Sequence, residues 1–150
     1  MSLSERIVLA TFCDDIRYEV GNKHSLMGCY KQELFVDHLP ATLPKLCASV
    51  SVNTPIDRPF EKLTICARLD GDSLADLEIE ENQLKSAQSE VSIKALEGMK
   101  RIEISCHLTF APFIITEEGV LRIEIVTEDG VIKGSVLQIR MRSQEVRAAI

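Results

Sequence analysis

The sequence predicts an all-β domain, an antiparallel two-sheet sandwich of about eight strands. Three observations carry that expectation. Apolar and polar side chains take turns along several segments, turn-forming residues separate those segments, and the stretches with helical propensity are too few for a helical layer. A closed β-barrel with the same number of strands is the alternative architecture.

Residues 101–110 carry the clearest pattern. Ile102, Ile104, Cys106, Leu108 and Phe110 share one face, and Arg101, Glu103, Ser105, His107 and Thr109 share the other. Such alternation marks a strand with one dry side. Leu121, Ile123 and Ile125 alternate with Arg122 and Glu124; Leu137, Ile139 and Met141 alternate with Gln138, Arg140 and Arg142. Asp129-Gly130 lies between them and supplies a tight hairpin turn, so strands are expected over 120–127 and 131–142. Gly134 inside the second strand signals a bulge or a close backbone approach.

Earlier segments read alike. Leu46, Ala48, Val50 and Val52 form one face of a strand, and Leu63, Ile65, Ala67 and Leu69 form another. Asn53-Thr54-Pro55 and Asp57-Arg58-Pro59 read as the connecting loop. Asp70-Gly71-Asp72 is a turn into a shorter strand over 74–79. The first strand, 6–13, is apolar on both faces, which suits a central position or a covered edge. Gly21-Asn22 turns the chain into a further extended stretch, 25–36. Residues 80–90 favour helix or loop, and residues 143–150 a short helix or a frayed tail.

Composition narrows the function. The 150 residues fit one domain. No apolar run approaches the roughly 18 residues of a membrane span, and no secretory leader is evident, so a cytoplasmic protein without a membrane partner is expected. Cys13, Cys29, Cys47, Cys66 and Cys106 are odd in number, widely spaced, and without a Cys-x-x-Cys pair; reduced, strand-borne thiols are expected. A net charge of −6 argues against nucleic acid. Arg140 and Arg142 share a strand face, the one hint of a local basic patch.

Candidate chemistry is sparse. Asp14 and Asp15 stand where the first strand is expected to end, and Asp70 and Asp72 flank a turn glycine. Carboxylates gathered at one end of a sandwich would hold a divalent cation. The competing reading is that aspartate is a turn residue, and no calcium-loop spacing supports the first. His24, His38 and His107 lack ligand spacing, and Cys106 and His107 point to opposite faces of one strand. A Cys/His hydrolase is a further alternative, without a recognisable nucleophile motif. No cofactor is expected. Trp is absent and aromatics make up 5%, which argues against sugar-binding or base-stacking platforms. Phe113, Ile114 and Ile115 either plug the core or form a docking patch. The leading expectation is a non-catalytic interaction module that binds another protein or itself.

The run Cys13-Asp14-Asp15-Ile16-Arg17, then Glu19, Gly21, Lys23, Ser25-Leu26-Met27-Gly28 and Tyr30, resembles a motif of a family of uncharacterised small bacterial proteins. Leu39-Pro40-Ala41-Thr42-Leu43-Pro44-Lys45-Leu46 continues the resemblance. It implies a small cytoplasmic protein, in some members prophage-borne. It implies no activity and no functional residues.

Overall fold

A computed structural model describes residues 5–93 and 101–142; the expectation for 143–150 lies outside the described residues. Eleven strands and one helix occur among them, in the order β1 (Ile7–Glu19), β2 (Lys23–Cys29), β3 (Glu33–Val36), β4 (Ala41–Leu43), β5 (Leu46–Pro55), β6 (Leu63–Leu69), β7 (Asp72–Ile79), α1 (Glu81–Ile93), β8 (Arg101–Phe110), β9 (Phe113–Ile115), β10 (Gly119–Thr127) and β11 (Gly130–Met141). One sheet has the order β2-β1-β5-β8 and the other β3-β11-β10-β6-β7, with β4 and β9 forming a separate pair. Both main sheets stay open, so the sandwich stands and the barrel does not.

Two departures from expectation concern pairing. The stretch 25–36 is two strands, not one: β2 joins the first sheet and β3 the second. Gly28 takes a left-handed φ of 67° and breaks the run. β3 then lies parallel to β11, so one pair in the second sheet is not antiparallel.

The dry faces meet between the sheets. Val8 and Phe12 of β1 and Ala48, Val50 and Val52 of β5 face Ile65 of β6, Leu121, Ile123 and Ile125 of β10, and Leu137 and Ile139 of β11, all buried in one core. Each buried Leu or Ile contributes about 1.5–3 kcal/mol. The hairpin of β10 and β11 forms as expected, and its register shifts between Arg122 and Glu124. Gly134 lies opposite that shift. A Cβ there would stand 2.9 Å from both the Ile123 carbonyl oxygen and Val8 Cγ1. Bulge and close approach are thus both present. Next to it, the Ala10 amide donates to Ser135 Oγ at 3.0 Å and joins the two sheets.

One end of the sandwich is closed by α1. Leu84 is buried in the core, and Gln88 bonds both the amide and the carbonyl of Phe60, at 2.7 and 2.8 Å. The segment 80–90 is therefore mostly helix, because Leu84 enters the core and Gln88 docks on the loop after β5. At the same end Arg6 is buried, with its guanidinium 4.5 Å over the Phe60 ring. It donates to Thr54 Oγ1, to the Arg58 and Pro59 carbonyls, and to Glu128 and Asp129 in the β10–β11 turn.

Candidate functional site

β1 pairs with β5 through Ile7 to Cys13, and with β2 through Cys13 to Glu19. It does not end at Cys13. The pairing with β2 carries it six residues further, past the start of β5, as a two-stranded ribbon. Asp14 and Asp15 therefore lie within a strand and not at a loop end as expected. They are neighbours within a strand and so face opposite sides.

Each carboxylate has a partner. Asp14 Oδ1 accepts from the Tyr30 hydroxyl at 2.6 Å, and its side chain occupies the space that a Cβ on Gly28 would need. Burial and then the Asp14 carboxylate hold the Tyr30 hydroxyl protonated far above its usual range. Lys45 Nζ donates to Asp15 Oδ1 at 2.9 Å, which holds the Asp15 carboxyl below its ordinary value. Arg17 Nε lies 4.0 Å from Glu19 Oε1, and its charge adds to the lowering of Asp15. The motif residues Asp14, Gly28 and Tyr30 thus form one contact at the root of the ribbon.

Asp70 and Asp72 lie in the other sheet. Asp70 takes a φ of 50°, accepts from the Val120 amide at 2.9 Å and donates its own amide to the Val120 carbonyl at 3.0 Å. It fastens the β6–β7 turn to β10. Asp70 and Asp72 border a cleft of about 270 Å³ together with the exposed Ile114. Phe113 and Ile115 point into the core, so the Phe113–Ile115 strand is a plug on one face only. Among the described residues, no three His, Cys, Asp or Glu side chains are placed to hold a metal ion. The Arg140–Arg142 patch is also answered: Arg140 lies 3.3 Å from Glu33, and Arg142 lies 3.8 Å from Asp37 and over the Phe35 ring.

The ribbon has two further contacts. His107 belongs to the outer face of the first sheet, in register with Ser49 and, through it, Thr11. Yet the Tyr18 hydroxyl is 3.0 Å from His107 Nδ1, and the His24 ring meets the His107 ring edge-on at 4.7 Å. The ribbon therefore turns back across the outer face and is latched to β8. His107 is not a solvated ring: its Nε2 is buried and has no hydrogen-bond partner among the described residues. Burial, and then His24, lower its pKa. His38 stays apart, with Nδ1 3.2 Å from the Pro40 carbonyl.

The thiols are the second contact. Cys13 stands directly opposite Cys29 on one side and Cys47 on the other, so three thiols form a row across β2, β1 and β5. Cys29 is exposed, while Cys13 and Cys47 are buried. Spacing in the sequence hides this row, because only strand register brings residues so far apart together. Cys47 Sγ lies 3.7 Å from Thr109 Oγ1 and 3.9 Å from the Asp14 carbonyl. Cys66 and Cys106 lie elsewhere, on β6 and β8, and burial foremost pushes each up to about 11.

These features define a β-sandwich with a hairpin folded back on its outer face, fastened at its root by a carboxylate and at its far part by an imidazole. The chain belongs to a family of unknown function, DUF6941, whose model matches residues 8–140. Nothing among curated proteins or solved structures matches it.

Proposed function

We propose that this protein is a non-catalytic interaction module and that the β1–β2 ribbon is its docking element. The observation that carries the reading is the exposure of large apolar side chains on the β1–β2 ribbon, Tyr18 on β1, Val20 in the connecting turn and Met27 on the edge strand β2. Tyr18, Val20 and Met27 are 76%, 93% and 46% exposed, and β2 is the outermost strand of its sheet. An edge strand offers unpaired amides and carbonyls to an added strand, and side chains beside it set the choice of partner. The partner is another polypeptide or a second copy of this chain. The five free thiols and the family resemblance support a cytoplasmic protein of bacterial origin. The net charge of −6 supports a partner other than nucleic acid. Among the described residues no helix is long and apolar enough to cross a membrane.

A photo-crosslinking side chain at Val20 tests this in the native host, with the same group at the exposed Val131 as control. The expected result is a discrete adduct from position 20 that the control lacks. Light scattering then separates a second copy from a different partner. Adducts of equal yield from both positions, or none from either, remove the ribbon as docking element.

A further inference from the structure

We propose that Cys29 and Cys13 form a dithiol site for exchange with low-molecular-weight disulfides, oxidised glutathione being the representative substrate. The product is a cross-strand bond at the root of the ribbon.

Register supplies the geometry. Cys13 and Cys29 are direct partners across two antiparallel strands, so their side chains leave the same face. The Tyr30 amide donates to the Phe12 carbonyl at 2.8 Å. On the opposite edge of β1, the Ala10 amide points away from β5 to Ser135. Backbone polarity alternates, so the amide and carbonyl of Cys13 face β5, and Cys13 and Cys29 do not exchange backbone bonds. Such pairs bring Cα atoms to about 4.5 Å and side chains closest together, inside the roughly 4.4–6.8 Å range that a disulfide spans. Cys47 is the competing neighbour of Cys13. It sits in the wider, backbone-bonded kind of pair, and its thiol is engaged by Thr109 and the Asp14 carbonyl.

Accessibility sets the order of events. Cys29 is exposed and meets the small disulfide first. Burial, then Cys47 and Cys29, push the Cys13 thiol up to about 11, which keeps it protonated at neutral pH and unsuited to the first attack. The Cys29 thiolate attacks one sulfur of oxidised glutathione. The glutathione S–S bond breaks, and one glutathione leaves as a thiolate and takes a proton. Cys13 then attacks the Cys29 sulfur of the mixed disulfide, its proton passing to the departing glutathione sulfur. The Cys29–glutathione bond breaks and the second glutathione leaves. Two protein thiols are oxidised and one small disulfide is reduced to two thiols, so atoms and electrons balance.

The test uses the full reduced chain and oxidised glutathione, with thiol titration and a non-reducing peptide map. The expected result is a loss of two of the five titratable thiols and a peptide joining Cys13 to Cys29. Cys13→Ala is expected to stop at a stable glutathione adduct on Cys29. Cys29→Ser, at an exposed position, folds independently of that outcome and is expected to keep its remaining thiols. A wild-type chain that stops at the mixed disulfide, joins Cys13 to Cys47, or keeps all its thiols overturns the assignment.

Discussion

Gly28 shows how one residue ties backbone to side chain. Its φ of 67° disfavours any L side chain, and a Cβ would stand 2.2 Å from Asp14 Oδ2. Gly28→Ala is therefore expected to cost about 1–3 kcal/mol, read as a shift in urea midpoint. In an Asp14→Ala background the same change is expected to cost less, since only the backbone strain remains. Equal costs in both backgrounds would show that the carboxylate is not the obstacle. His107 bears on pH. Its folded-state pKa lies below 6.5 because burial and then His24 disfavour the charged ring. Its contribution is therefore complete above 6.5 and is lost as pH falls through the lower folded value. Amide exchange over the ribbon, corrected for intrinsic rates, is expected to speed up on acidification, and His107→Gln to remove that dependence. Protection unchanged between neutral and acidic pH would show that the latch does not titrate. Neither residue announces its role in the sequence: Gly28 reads as a close approach or a bulge, and His107 as a solvated ring on the polar face of its strand.

At the scale of elements, the end of the sandwich depends on Arg6 and Glu128. Four segments meet there: the start of β1, the loop after β5, the β10–β11 turn and, through Phe60 and Gln88, α1. Burial pulls the Glu128 carboxyl upward, but Arg6 and the backbone amides of Lys62 and Glu61 outweigh it, so its pKa lies below the ordinary 4.5. The stability it confers is present above 4.5 and is lost as pH falls through the lower folded value. Glu128→Gln is expected to flatten the acid limb of the stability curve. An unchanged acid limb would mean that other carboxylates govern it. Arg6→Leu leaves Glu128 without its cation, and denaturant unfolding is expected to report a loss of about 3–5 kcal/mol. The sequence places Glu128-Asp129 correctly in a turn. It does not reveal that the turn receives a buried guanidinium from a residue more than a hundred positions away.

Across the whole molecule, α1 closes what two twisted sheets leave open. Leu84→Ala removes a side chain that the core surrounds, and is expected to lower stability by about 2–5 kcal/mol in urea denaturation. A cost below about 1 kcal/mol would mean that the helix rests on the sandwich without sealing it. By itself the sequence determined the fold class, the β10–β11 hairpin, the bulge at Gly134, the inward faces of β5, β6, β8 and β10, and that of β11 at Leu137 and Ile139, though not at Met141, which is exposed. All of these follow from side-chain period and turn chemistry, which act between near neighbours. Only the tertiary structure decided that β1 runs on past Cys13, that β3 lies parallel to β11, that Asp14 and Asp15 part to different partners, and that three cysteines stand in a row. Those outcomes depend on strand register and on how the ribbon folds back. Both are set by contacts between residues far apart in the chain, and local alternation carries no record of which distant strand comes to lie alongside.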